Sequence, residues 1–92
     1  SVVHNNGSMY NSTNHRMELA AHRGRDASYE SALVGTGLGD PVPDYAAMAE
    51  SMGVAGYGPI EEPDDVAPAL EAAWADVRRG EPALVDVVCQ VR

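Results

Sequence analysis

The 92-residue chain has no lysine, and carboxylates outnumber its six arginines enough to give a formal net charge of −8. Nucleic acid and anionic membrane surfaces are recognised through a basic footprint, so this balance excludes both as expected partners. Cysteine is nearly absent as well. Cys89 alone cannot build an internal disulfide framework, and a single thiol suits a reducing compartment, so a cytoplasmic location is expected. Apolar runs long enough to span a bilayer are missing, and no charged-then-apolar signal segment opens the chain. No glycine-rich phosphate loop joins a strand to a helix, which argues against an independent nucleotide-binding domain. What is present is an apolar fraction of 45%, ordinary for a globular piece and too high for a disordered one. A chain this short buries only a modest core.

The last third carries the clearest pattern. Val66, Leu70, Ala73, Trp74 and Val77 recur at helical spacing, with Pro63 at the start and Asp64 and Asp65 where the helix dipole favours negative charge. Arg78 and Arg79 load the opposite end and Gly80 stops it. Pro68 removes a backbone donor beyond the first turn, so a bend or loosening is expected there. The run Ala83 to Cys89 is nearly continuous and β-branched, which suits a strand buried on both faces of a parallel sheet. Asp86 interrupts it, as an acid that either caps a neighbouring backbone or arginine, or serves as a catalytic carboxylate. Upstream, Asp44 caps a helix carrying Tyr45, Met48, Ala49 and Met52 on one face, which Gly53 ends. Val54 to Tyr57 then reads as a short strand closed by Gly58-Pro59. Residues 44 to 91 therefore read helix, strand, helix, strand. The alternation implies an α/β fold with a parallel sheet and flanking helices.

Between about 24 and 43 nothing periodic appears. A structureless stretch of about 20 residues in a compact domain is usually a lid, a binding loop or a disordered segment. Residues 14 to 23 read as a short helix with Asn14 as cap and Gly24 as stop. Trp74, Met9, Met48 and Met52 are expected to fill the core. Cys89 is expected to be a small buried hydrophobe rather than a reactive thiol. His4 is expected to pack at a strand end. His15 and His22 are surface residues or, alternatively, partners for a substrate carboxylate, and their spacing fits no tight metal pair.

The opening, Ser1-Val2-Val3-His4-Asn5-Asn6-Gly7-Ser8-Met9-Tyr10, runs from a strand into two amides and a flexible pair. In open α/β sheets, ligands bind outside the carboxyl ends of the strands. An asparagine offers a carbonyl oxygen and two amide donors, and Mg2+ wants oxygen ligands that it shares with substrate phosphates. The same tripeptide, Asn-Asn-Gly, is also a common turn. The residues alone leave both readings open.

Val2-Val3-His4-Asn5-Asn6, Pro43-Asp44-Tyr45-Ala46-Ala47-Met48-Ala49 leading to Met52-Gly53-Val54, Glu62-Pro63-Asp64-Asp65, and Gly80-Glu81-Pro82-Ala83-Leu84-Val85-Asp86-Val87 together form a recognisable order. In these motifs the chain resembles the C-terminal part of the cofactor-binding domain of thiamine diphosphate-dependent enzymes, of the acetolactate synthase, pyruvate oxidase and benzoylformate decarboxylase type. The resemblance covers essentially all of residues 1 to 92. In that family the cofactor motif begins with Gly-Asp-Gly and closes with Asn-Asn at the end of a strand.

The resemblance implies thiamine diphosphate and Mg2+ as cofactors and a 2-oxo acid as substrate, which is decarboxylated and then joined to a carbonyl, protonated or oxidised. It makes Asn6 a Mg2+ ligand through its side-chain oxygen and Ser8 a second through its backbone carbonyl. Asn5 supports the turn, and Gly7, Ser8 and Met9 lie along the diphosphate. Many relatives carry an aromatic and a glycine soon after the asparagines, where this chain has Gly7-Ser8-Met9-Tyr10. No Gly-Asp-Gly stands in these residues, and the first strand has no preceding helix to cover it. The chain is therefore expected to be a segment of a larger enzyme, inactive by itself. Its expected partners are upstream polypeptide bearing Gly-Asp-Gly and a pyrimidine-binding domain, in a homodimer or homotetramer. The loop from 24 to 43 is expected to act as a lid. A non-catalytic α/β binding or interaction module of the same fold is the alternative.

Overall fold

Six consecutive residues rich in Val and Leu, Ala83–Val88, form the middle strand of a small parallel sheet in the computed structural model, which describes residues 1–90. The elements follow as β1 (Val2–Asn5), α1 (Tyr10–His22), α2 (Tyr29–Leu33), α3 (Tyr45–Ser51), β2 (Ala55–Ile60), α4 (Pro63–Arg78) and β3 (Ala83–Val88). Both outer strands run parallel to β3, in the order β1-β3-β2. The fold is α/β with flanking helices. Val91 and Arg92, at the end of the expected 44–91 pattern and the chain, lie outside the described residues.

The described chain divides into two compact bodies, one of Ser1–Asn5 with Asp44–Cys89 and the other containing Asn6–Pro43. In the first, Val2 pairs with Val85 and Asn5 with Val88 across β1 and β3. Across β2 and β3, Ala55 pairs with Ala83 and Tyr57 with Val85, and the register then shifts so that Ile60 meets Val87. The expected stop of this strand at Gly58-Pro59 does not occur. The Gly58-Pro59 bond is cis and the strand continues through it to Ile60.

The core is small and made of short side chains. Ile60, Ala73, Ala83 and Val85 form its centre, with Val66, Ala69, Tyr57 and Val87 packed against them. Alternate strand residues point to opposite faces. Tyr57 packs toward the cluster that holds Ala73 of α4, whereas a Cβ on Gly56 would sit 2.4 Å from the Ala46 carbonyl oxygen of α3. The two helices therefore cover opposite faces of the sheet. The Asp44 carboxylate caps α3 as expected, accepting the Ala47 N–H at 2.8 Å.

Several expectations of packing fail. The fully buried apolar residues of α3 and α4 are alanines, Ala46, Ala49 and Ala73, so only part of each apolar stripe is covered. Trp74 is 63% exposed and Met52 70% exposed, and Met9 and Met48 also face outward rather than filling a core. α4 runs unbroken through Pro68, where the sequence pointed to a bend or loosening. His4 is exposed, because β1 is a lateral strand of this sheet. Cys89 is half-buried, its thiol donating to the Val87 carbonyl at 3.3 Å.

In the second body, α1 begins at Tyr10, with Met9 in the capping position. Asn14, expected to cap it, sits inside the helix and donates its side-chain amide to Glu18 at 2.9 Å. The stretch from 24 to 43, expected to hold no regular element, contains α2. Ser28 caps that helix, accepting the Ser31 N–H at 3.2 Å, and Asp26 in turn accepts the Ser28 N–H and hydroxyl at 3.0 Å each. The N–H and hydroxyl of Ser28 hold the Asp26 carboxyl below its ordinary pKa. No helix among the described residues is long and apolar enough to cross a membrane.

Candidate functional site

The turn from Asn6 to Met9 links the chain emerging from β1 to the first turn of α1, and its shape follows from four residues. Gly7 has φ +62, in the left-handed region that a side chain disfavours. Asn6 folds its amide oxygen back to accept the Ser8 N–H at 3.2 Å, the local closure that asparagine characteristically makes. Met9 N–H then donates to the Thr36 carbonyl and Leu38 N–H to the Gly7 carbonyl, each at 2.8 Å. These two bonds make an isolated antiparallel bridge between Ser8 and Gly37.

The bridge uses the backbone of Gly7 and Met9 and not that of Ser8. In an antiparallel pair of this kind, the residue's own N–H and C=O point away from the facing segment. Ser8 N–H is taken by Asn6, so the Ser8 carbonyl is turned away from residues 36 to 38. The turn thus carries both the Asn6 amide oxygen and the Ser8 carbonyl, the two neutral oxygens to which the resemblance gives ligand roles. Neutral oxygens of this sort suit a hard cation that completes its shell with phosphate oxygens. Met9, half exposed, flanks the turn, and Gly7 offers no side chain where a ligand would approach.

Asn5 belongs to the sheet body. It is buried, its carbonyl accepts the Cys89 N–H at 2.8 Å, and its amide nitrogen approaches the Asp86 carboxylate at 3.5 Å. Asp86 is fully buried in the middle of β3, and its other oxygen has no hydrogen-bond partner. It therefore caps neither a backbone nor an arginine, the structural roles the sequence suggested. Burial of this acid was hidden because an isolated Asp in an apolar run gives no sign of which strand face it occupies. His15 and His22 are exposed, and no group of three or more His, Cys, Asp or Glu side chains converges on a metal-sized site among the described residues.

Two residues of this body escaped the sequence reading altogether. Thr13 and Thr36 are buried beside Ser8, on α1 and after α2, and their hydroxyls are hydrogen-bonded to each other. Thr36 stands between Gly35 and Gly37, in a stretch whose composition signals only a loop.

Residues 1–87 match the family described as thiamine pyrophosphate enzyme, C-terminal TPP binding domain. The chain belongs to this family. Its parallel sheet and flanking helices are thus those of a thiamine pyrophosphate-binding domain. No curated protein and no solved structure matches the chain. The domain assignment covers β1, the turn, all four helices and most of β3.

Proposed function

We propose that this thiamine pyrophosphate-binding domain is part of a Mg2+-dependent enzyme acting on 2-oxo acids, a carboligase or decarboxylase of the acetolactate synthase type. Its share of the site is the Asn-Asn end of the cofactor motif. The observation that carries the reading is the turn itself, which gathers the Asn6 amide oxygen and the Ser8 carbonyl on one short segment of a domain of this family. Asn6 and Ser8 would take two positions around Mg2+. Gly7, Ser8 and Met9 would lie along the diphosphate, and Asn5 would support the entry to the turn. The acidic ligand is assigned to upstream polypeptide bearing Gly-Asp-Gly, and the partner that completes the site to a pyrimidine-binding domain in a homodimer or homotetramer. A cytoplasmic setting agrees with the single thiol.

The chemistry supplied by the bound cofactor is addition to a carbonyl and storage of the electron pair released on decarboxylation. The chain's own residues anchor and orient. The segment from 24 to 43, proposed as a lid, would exclude water from the reacting centre. Because Thr36 and Leu38 are bonded to the turn, any such movement would carry the turn with it.

The test is calorimetric titration of the complete enzyme with thiamine diphosphate in the presence and absence of Mg2+. Binding should require the metal. Asn6→Ala should weaken it by at least about 100-fold, the upper end of what loss of an outer-shell partner costs. Equal affinity for Asn6→Ala and the parent enzyme would overturn the ligand assignment. Absence of any Mg2+-dependent binding would favour the non-catalytic module instead.

A further inference from the structure

Ser8, Thr13 and Thr36 form a buried line of three hydroxyls, and the direction of its protons follows from its inner end. Thr36 Oγ1 donates to the Ala32 carbonyl at 2.7 Å, an acceptor with no proton of its own. That bond uses the one proton Thr36 has. The 2.8 Å contact between Thr13 and Thr36 must then be a donation from Thr13. Thr13 is 0% exposed and its proton is committed to Thr36, the Met9 carbonyl at 3.3 Å being the more distant acceptor. The 3.4 Å contact between Ser8 and Thr13 is therefore a donation from Ser8. Each hydroxyl gives one proton inward, and Thr13 and Thr36 each receive one from the hydroxyl outside it, an arrangement in which successive bonds polarise one another.

We propose that Thr36 is a positioning residue for the cofactor turn: by fixing the sense of this chain it pulls the Ser8 hydroxyl inward and holds the Ser8 carbonyl in the orientation a cation needs. The inference rests on the reading of Asn6 and Ser8 as metal ligands and adds a residue 28 positions from Ser8. It has a chemical consequence. With its proton turned inward, Ser8 meets a ligand as an acceptor only, so its side chain suits a cation or a donor and not a phosphate oxygen.

Thr36→Val keeps the shape of the side chain and removes the acceptor for Thr13, while Thr36→Ser keeps the hydroxyl. In the complete enzyme, Mg2+ titrated at saturating thiamine diphosphate and followed by calorimetry should bind roughly tenfold more weakly to Thr36→Val, the effect of about one lost buried hydrogen bond. Thr36→Ser should restore the parent affinity. Urea unfolding of the same variants separates positioning from folding, because general damage would weaken Thr36→Ser and Thr36→Val in proportion to their lost stability. Ser8→Ala keeps the carbonyl and removes only the outermost hydroxyl, and it should weaken Mg2+ by a similar factor. It serves as the deciding variant if Thr36→Val does not fold. Parent-like Mg2+ affinity in Thr36→Val or, where that variant does not fold, in Ser8→Ala would overturn the proposal, as would failure of Thr36→Ser to recover. If Asn6→Ala also binds Mg2+ like the parent, the ligand reading itself has failed. If Asn6→Ala loses Mg2+ and the hydroxyl variants do not, only the present inference has.

Discussion

Asp76 is a buried carboxylate on α4 with two side-chain partners, the Tyr57 hydroxyl from β2 and the Arg79 guanidinium just past the helix end. The hydrogen bond that Tyr57 gives to Asp76 requires a proton on the phenol, and with burial and the negative charge of Asp76 it raises the Tyr57 pKa above 10.0. A group whose folded value is raised contributes stability that is complete below its unfolded pKa and is lost as pH climbs through the folded one. The urea midpoint of the parent protein should therefore fall more steeply above pH 10 than that of Tyr57→Phe, and equal slopes would show that the bond to Asp76 is not made. This link between strand and helix was illegible in the sequence. Asp76 lies one position from the exposed Val77, and only the fold shows that Tyr57 reaches it.

α3 approaches β2 so closely that Gly56 has no room for a side chain, a Cβ there falling 2.4 Å from the Ala46 oxygen and 2.9 Å from its carbon. Backbone cannot yield as a flexible side chain would. Gly56→Ala should cost about 2 kcal/mol or more by overpacking, read as a lower urea midpoint with unchanged slope. Asp44→Ala, which deletes only the cap of the same helix, should cost about 1 kcal/mol. The pairing shows what local signals convey. From Asp44 onward the helix caps, the Gly stops and the β-branched run are encoded within a few residues of where they act, so the order helix, strand, helix, strand could be read directly. The covered width of each helix could not, because alanine contacts leave Met48, Met52 and Trp74 outside while obeying the same periodicity. α1 was misplaced for a related reason. It buries Thr13 and no large apolar side chain, so its start at Tyr10 has no hydrophobic pattern to announce it.

The whole chain is strongly acidic, with a net charge of −8 and no lysine, yet the proposed ligand includes a diphosphate. Between Asn6 and Pro43 three arginines are set against four carboxylates, and Arg16 already donates to the carbonyls of Ala32 and Val34. The turn's own residues, Asn6 to Met9, include no cationic side chain. The Asn-Asn segment was legible as a family resemblance, whereas the buried hydroxyls beside it were not, since serine and threonine in a glycine-rich loop look the same whether buried or exposed. On the proposed function the divalent cation would compensate most of the diphosphate charge in the complete enzyme, which is a strict demand. Dialysis against EDTA should release thiamine diphosphate and lower its affinity by at least about 100-fold, a loss restored by Mg2+. Raising the salt concentration should not substitute for the metal. Salt screens repulsion beyond about 10 Å at 0.1 M, but it would supply no ion for Asn6 and Ser8 to coordinate. Retention of the cofactor at full affinity after EDTA treatment would mean that cationic side chains outside this domain hold the diphosphate, and that the Asn6–Ser8 turn is no more than a bend at the end of β1.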